Sequence, residues 1–336
     1  MKPVIRFLSH KIDRAHPITY LDVGAMGGIP HKWKSLSEMM KVIAFEPDPR
    51  EFAKLQNNDR IQYLNYALYD KSCDLNYYIA RESGKSSILR PNKKFLSVYE
   101  NEERFHILKE EHIPSARVKS LDIIAEEFNI VDVDFIKLDT QGSELYILRG
   151  GEKYILPAAF GAQIEVEFSE MYERQPLFRD VDEFMEKRGF SLIDLRRAYW
   201  KRKDFNNYRG KGQLIFGDAL YLKHPGHFFN ELSKTKDVFY VKSKIFKSVL
   251  ICLTYRMFDY AISLIKSGME FGYLNPSEAE RSVKEIIKSA PQGIILNSRI
   301  YALIYSLAKQ FVKKLRPRSH LGWADGDHEI GNIEDI

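Results

Sequence analysis

The run Tyr20-Leu21-Asp22-Val23-Gly24-Ala25-Met26-Gly27-Gly28 constrains this 336-residue chain more than any other stretch. Ile18, Tyr20, Leu21 and Val23 form a short apolar segment of the kind buried as a strand. Three glycines follow, and without a Cβ they let the backbone turn tightly and pass close to a ligand. Pro30 stands where a helix would begin. Strand, glycine turn and helix start, in that order, bring backbone N–H groups up to a bound polar ligand. The glycines read G-x-x-G-G rather than G-x-G-x-x-G, which argues against a dinucleotide site.

A second apolar strand, Lys41 to Phe45, ends on Glu46-Pro47. A carboxylate at the tip of the second strand of a βαβ unit can accept both hydroxyls of an adenosine ribose. Further strands are expected at 61–68, 74–80, 134–139, 162–168, 190–196 and 213–222. Helices are expected at 32–40, 49–57, 120–128, 143–148 and 181–188, the last closed by Gly189. The charged stretch Lys93 to Glu111 reads as a helix, either a lid over the site or a solvated surface helix. Repeated β-α units call for a parallel sheet with helices on both faces. The last two strands form a hairpin that inserts one antiparallel strand. Its connecting loop, 197–212, is basic and aromatic, suited either to an acidic or nucleotide-linked sugar or to plain solvation.

Four stretches together resemble the FkbM family of S-adenosylmethionine-dependent methyltransferases. They are Leu21 to Gly28; Ala44-Phe45-Glu46-Pro47-Asp48-Pro49; Asn65-Tyr66-Ala67-Leu68; and Ile136-Lys137-Leu138-Asp139-Thr140-Gln141-Gly142-Ser143-Glu144-Leu145 with Leu148-Arg149-Gly150. The resemblance spans residues 18–222. It implies an α/β fold: a Rossmann-like, mostly parallel sheet with a closing antiparallel hairpin, followed here by a small C-terminal helical subdomain. It also implies S-adenosyl-L-methionine as cofactor and O-methylation of a sugar or natural product. On that basis Asp22, Gly24, Ala25 and Gly28 belong to the cofactor turn and Glu46-Pro47 to the ribose. Ala67 and Leu68 lie near the adenine, and Asp139 lies at the methionine end. The family often has Asn where Met26 stands and Glu where Gln141 stands, so neither a base nor a metal is assigned to position 141, and no metal ligands are named.

Methyl transfer to a sugar hydroxyl calls for a positioned proton acceptor. Asp139, Glu165 and Glu167 stand at strand ends, the two glutamates on one side of their strand. His106 and His112 are further candidates. Each also has an ordinary explanation: Asp139 as a helix cap, the glutamates as surface partners of Arg174 or Arg179, the histidines as surface residues. Ser86 and Ser87 are either substrate contacts or turn residues. Two readings of other classes stay open, a nicotinamide-dependent oxidoreductase on a nucleotide sugar and a non-enzymatic membrane-surface scaffold.

The formal net charge of +5 is too small to imply nucleic acid. Two distant cysteines fit a reducing, cytoplasmic setting. Residues 1–17 read as a leader to the fold, 18–225 as the cofactor-binding domain, 238–316 as the helical subdomain and 317–336 as an acidic, flexible tail. Helix-like stretches fall at 241–268, 276–289 and 298–315. Residues 298–318 combine an apolar stripe with basic residues, which suggests peripheral docking on the inner face of a membrane beside the blander reading of a packed helix. Self-association is left open.

Overall fold

A computed structural model describes residues 2–130, 132–205 and 212–291, together with 307, 323–327 and 330. The strands are β1 (Ile18–Val23), β2 (Met40–Phe45), β3 (Ile61–Leu64), β4 (Ala67–Leu68), β5 (Leu75–Ala80), β6 (Ile107–Ile113), β7 (Val118–Lys119), β8 (Phe135–Leu138), β9 (Gly161–Glu167), β10 (Phe190–Trp200), β11 (Gln213–Lys223) and β12 (Ala324–Gly326). The helices are α1 (Lys2–Ser9), α2 (Pro49–Phe52), α3 (Lys93–Leu96), α4 (Leu121–Glu127), α5 (Glu144–Arg149), α6 (Ile155–Ala158), α7 (Phe178–Glu186), α8 (Pro225–Leu232), α9 (Val238–Thr254), α10 (Phe258–Glu270) and α11 (Pro276–Ser289).

Eight strands form the central sheet in the order β12-β10-β11-β9-β8-β1-β2-β3. The stretch from β9 to β3 is parallel throughout, whereas β11 runs antiparallel to both β9 and β10. The expected closing hairpin is therefore present, with β11 inserted between β9 and β10. Parallel strands covered on both faces must be apolar on both, and alternate residues do divide between two cores. Leu21, Val23, Ile43, Phe45, Ile136 and Leu138 pack against α4 to α7. Ile18, Tyr20, Met40, Val42 and Phe135 pack against the 3₁₀ turn His31–Met39 and the helices α1 and α8 to α11.

The C-terminal helices lie directly on that second face of the sheet. The connections after β1 and β2 contain only a 3₁₀ turn and the four-residue α2, too little helix to cover it. In their place α9 is buried along most of its length, including Lys244 and Lys247. Both lysines pair with Asp132 and Asp134 at the start of β8, and Asp134 also accepts the Thr19 N–H. Buried charge of both signs thus ties α9 to the sheet.

Several boundaries differ from the sequence expectation. The stretch 93–111 is not one helix: Asn92 caps a single turn, Asn101 adopts φ +58°, and β6 then pairs antiparallel with β5. Residues 61–68 split into β3 and β4, the latter paired with β7 in a separate ribbon. The helices expected at 32–40 and 49–57 are the 3₁₀ turn and the short α2. The helix expected over 241–268 breaks at Arg256, whose φ is +55°. β10 continues to Trp200, into the expected loop. In the expected flexible tail, residues 324–326 pair with the edge of β10, and Arg197 bonds Asp327. The helix expected at 298–315 lies outside the described residues except for Leu307.

Candidate functional site: a pocket at the carboxyl ends of the parallel strands

β1 ends at Val23 and the chain turns through Gly24 at φ +82°. A Cβ on Gly24 would stand 1.9 Å from the Asp139 carbonyl oxygen, so the turn fits against the end of β8 only as glycine. The turn is pinned by Gly24 N and Ala25 N, which both donate to Phe45 O, and by Asp139 N, which donates to Val23 O. Three strand ends thereby converge on one hollow, where open α/β sheets bind their ligands. The pocket is open to solvent and has a volume of about 200 Å³.

Of the residues singled out from the sequence, Gly24, Glu46, Pro47, Ala67, Leu68, Asp139 and Glu165 line this pocket. Glu46 is 5% exposed, and its Oε1 accepts the Asp48 N–H at 2.9 Å. Burial pushes its pKa up to about 7. Asp22, Ala25, Gly28 and Glu167 do not line the pocket. Asp22 is buried and pairs with Lys137 at 3.2 Å; Lys137 Nζ also donates to Gly24 O and approaches Asp139. Burial raises the Asp22 pKa and Lys137 holds it back. Ala25 is buried in the core, and Gly28 faces the Tyr63 hydroxyl.

Asp139 and Glu165 are bridged by Gln141. Its Nε2 donates to Glu165 Oε2 at 2.6 Å and to Asp139 Oδ1 at 3.1 Å. Its Oε1 accepts from Lys85 Nζ at 3.2 Å and from the Tyr172 hydroxyl at 3.1 Å. The two carboxylates respond oppositely. Burial works to raise both, but Lys137 and Lys85 outweigh it at Asp139, whose pKa is lowered. At Glu165 burial and the Asp139 charge hold the pKa well above the usual carboxylate range. The two neighbouring carboxyls thus differ in proton affinity, Glu165 being the stronger proton acceptor of the pair.

A short cover lines one side of the pocket. The turn Ser83–Lys85 reaches Met26, with Ser83 Oγ 3.6 Å from the Met26 sulfur. The cover is anchored by Arg50, which pairs with Asp48 and donates to Ala80 O and Ser86 Oγ. Ser87 Oγ donates to Gln141 O. Both serines thus hold the cover in place, and Ser86 also lines the pocket. His106 is exposed at the end of a 3₁₀ turn and His112 lies on β6 near Asp74, so neither lines the pocket. Glu165 and Glu167 are buried and do not meet Arg174 or Arg179 as surface partners. Sequence reasoning missed Lys85 and Tyr172, which come from irregular segments far from β8 and carry no motif.

A family model for the methyltransferase FkbM domain matches residues 22–192. Among characterised proteins, a 2-O-methyltransferase, NoeI, of Sinorhizobium fredii (strain NBRC 101917 / NGR234) is 26% identical over 177 residues, which is 49% of this chain and 69% of that protein. Methyltransferase 1 of Beauveria bassiana (strain ARSEF 2860) is 25% identical over 178 residues, 50% of this chain and 69% of its own. A precorrin-6y C5,15-methyltransferase from Geobacter metallireducens GS-15 superposes over 66% of this chain and 89% of its own at 11% identity, with a TM-score of 0.30, too loose a match to add to the sheet order already described. With just over half of its length matched by the domain, and the glycine turn, Glu46 and Asp139 meeting at one pocket, the chain belongs to the FkbM family of S-adenosylmethionine-dependent methyltransferases.

Proposed function

We propose that this protein is an O-methyltransferase that acts on a hydroxyl of a sugar or glycan. The observation that carries this reading is Glu165, a buried carboxyl on the pocket wall with a raised pKa, held by Gln141 beside Asp139. The name of the Sinorhizobium relative, a 2-O-methyltransferase, points the same way.

S-adenosylmethionine supplies, when bound, a methyl group activated on a sulfonium. In our reading the residues present fit that ligand. Glu46 accepts the ribose hydroxyls, Ala67 and Leu68 flank the adenine, and Gly24 lets the turn approach without a side chain in the way. Asp139 stays ionised toward the cationic end of the cofactor. Glu165 takes the proton from the acceptor hydroxyl as its oxygen gains the methyl group. Gln141 and Tyr172 keep Glu165 in one orientation, and the Ser83–Lys85 cover keeps water away. Family membership sets aside the oxidoreductase and scaffold readings. No described helix is long and apolar enough to cross a membrane. Docking through 298–318 rests on the sequence alone, since that segment lies outside the described residues apart from Leu307.

The test is transfer of labelled methyl from S-adenosylmethionine to a panel of free sugars, nucleotide sugars and lipid-linked glycans, with mass spectrometry of the products. Label on a sugar oxygen supports the reading. Label found only on nitrogen, carbon or non-sugar acceptors overturns it.

A further inference from the structure

Around Glu165 lies a group of carboxylates larger than proton transfer requires. Glu144 comes from α5, and Glu165 and Glu167 come from β9. Each offers one carboxylate oxygen, and the three atoms all lie within 4.8 Å of one another. The residues are 2%, 6% and 2% exposed. Oxygens bound to a single Ca²⁺ or Mg²⁺ at ordinary distances of about 2.0–2.6 Å can be no more than about 5 Å apart. The three therefore already have the spacing of a shared ion.

A second observation is independent of that spacing. Glu167 Oε1 is fully buried and has no hydrogen-bond partner. An unpaired carboxylate oxygen away from water is costly, and the group needs a proton, a donor or a cation. Lys85 and Thr140 are engaged elsewhere. Lys85 donates to Gln141 Oε1, and Glu144 Oε1 already accepts from Thr140 N and Thr140 Oγ1. Gln175 Nε2 is likewise buried without a partner at full hydrogen-bond geometry, though this amide lies close enough to pull the Glu167 pKa down, and its carbonyl is fixed by the Tyr172 N–H. Like charges at this distance raise one another's pKa, and Glu144 is pushed up to about 7, chiefly by burial.

We propose that Glu144, Glu165 and Glu167 form a binding site for one hard divalent cation, Mg²⁺ or Mn²⁺, in the wall between the cofactor pocket and the core. An oxygen-only set from three carboxylates selects such ions over softer ones. Two ligands on one strand and a third on a packed helix make the site rigid. The ion neutralises charge that the core otherwise holds unpaired, and it lies next to the carboxyl of Glu165 on the pocket wall. The site depends on no particular acceptor and on no catalytic role.

The experiment uses the full chain stripped with chelator. Mn²⁺ is added, and the loss of the free-ion signal is followed by electron paramagnetic resonance, with Mg²⁺ as competitor. One Mn²⁺ per chain is expected, displaced by Mg²⁺, with the melting midpoint raised by about 4 °C at a hundredfold excess over Kd. Glu167→Gln is expected to weaken Mn²⁺ binding at least about tenfold. It should also raise the midpoint of the stripped protein, because one like charge is gone. S-adenosylmethionine binding by calorimetry checks that each variant is folded, and Glu144→Gln replaces Glu167→Gln if the latter is not. If the folded wild type takes up no Mn²⁺ and neither ion moves its midpoint, the site is refuted and the carboxyls are held by shared protons or by a water between Gln175 and Glu167. Mn²⁺ uptake that survives unchanged in both variants refutes it equally.

Discussion

Gln141 donates its side-chain N–H to Glu165 at 2.6 Å while its own backbone sits at φ +59°. A left-handed conformation is uncommon for a residue with a side chain, and here it aims that side chain at two carboxylates. Gln141→Leu keeps the bulk but removes the donor from Glu165 and the acceptor from Tyr172 and Lys85. Buried groups left unpaired cost about 1–3 kcal/mol. Urea unfolding of Gln141→Leu is expected to show a loss of that size with an unchanged m-value. Unchanged stability would mean that the bridge does not hold Glu165.

Glu46 gives a pH dependence with a definite sign. Its folded pKa of about 7 lies above the ordinary 4.5, so the cofactor-free protein holds an extra proton between those values. Its contribution to stability therefore falls as pH rises from about 4.5 to about 7. Ribose hydroxyls donate best to the ionised form. S-adenosylmethionine affinity is expected to rise with pH through about 7, and Glu46→Gln should flatten that rise. Glu46→Ala should weaken binding by about ten- to a hundredfold, the range for hydrogen bonds to a charged group. Calorimetry across pH 5.5 to 8.5 reads both.

Lys244 anchors α9 to the start of β8. Lys244→Met removes one cation from a buried group of two lysines and two aspartates, leaving Asp132 and Asp134 with Lys247 alone. Breaking a buried pair from one side costs about 3–5 kcal/mol. Chemical unfolding should show a loss in that range. A loss below about 1 kcal/mol would mean that packing of α9, not charge, holds the helix to the sheet.

The parts of the site that were legible in the sequence are those on strand ends. Val23-Gly24, Phe45-Glu46, Leu138-Asp139 and the β9 glutamates follow from apolar runs that stop at a glycine or a carboxylate, and the parallel sheet brings those stops together. Lys85, Tyr172 and Gln175 were not legible, because they lie in irregular segments whose placement depends on tertiary packing. The same limit explains 93–111: charge masked the alternation of Ile107 and Ile113, and β6 forms because β5 offers it an edge. Helix α9 reads as helical from its composition. Periodicity does not name a helix's partner, so its place on the sheet became clear only from the shared core.

Asp139 and Glu165 should separate functionally. Asp139→Asn removes the ionised member of the pair and is expected to weaken S-adenosylmethionine binding and turnover together. Calorimetry and a methyl-transfer assay on the same preparation give the two numbers.

The central claim is that Glu165 is the proton acceptor on the pocket wall. The direct measurement is the turnover of Glu165→Gln with an acceptor identified in the glycan panel, set beside its S-adenosylmethionine affinity. The account predicts turnover lower by about a hundred- to ten-thousandfold, with cofactor affinity close to wild type. Near-normal turnover in Glu165→Gln would contradict it and move the base elsewhere, with Glu167 the next residue to test.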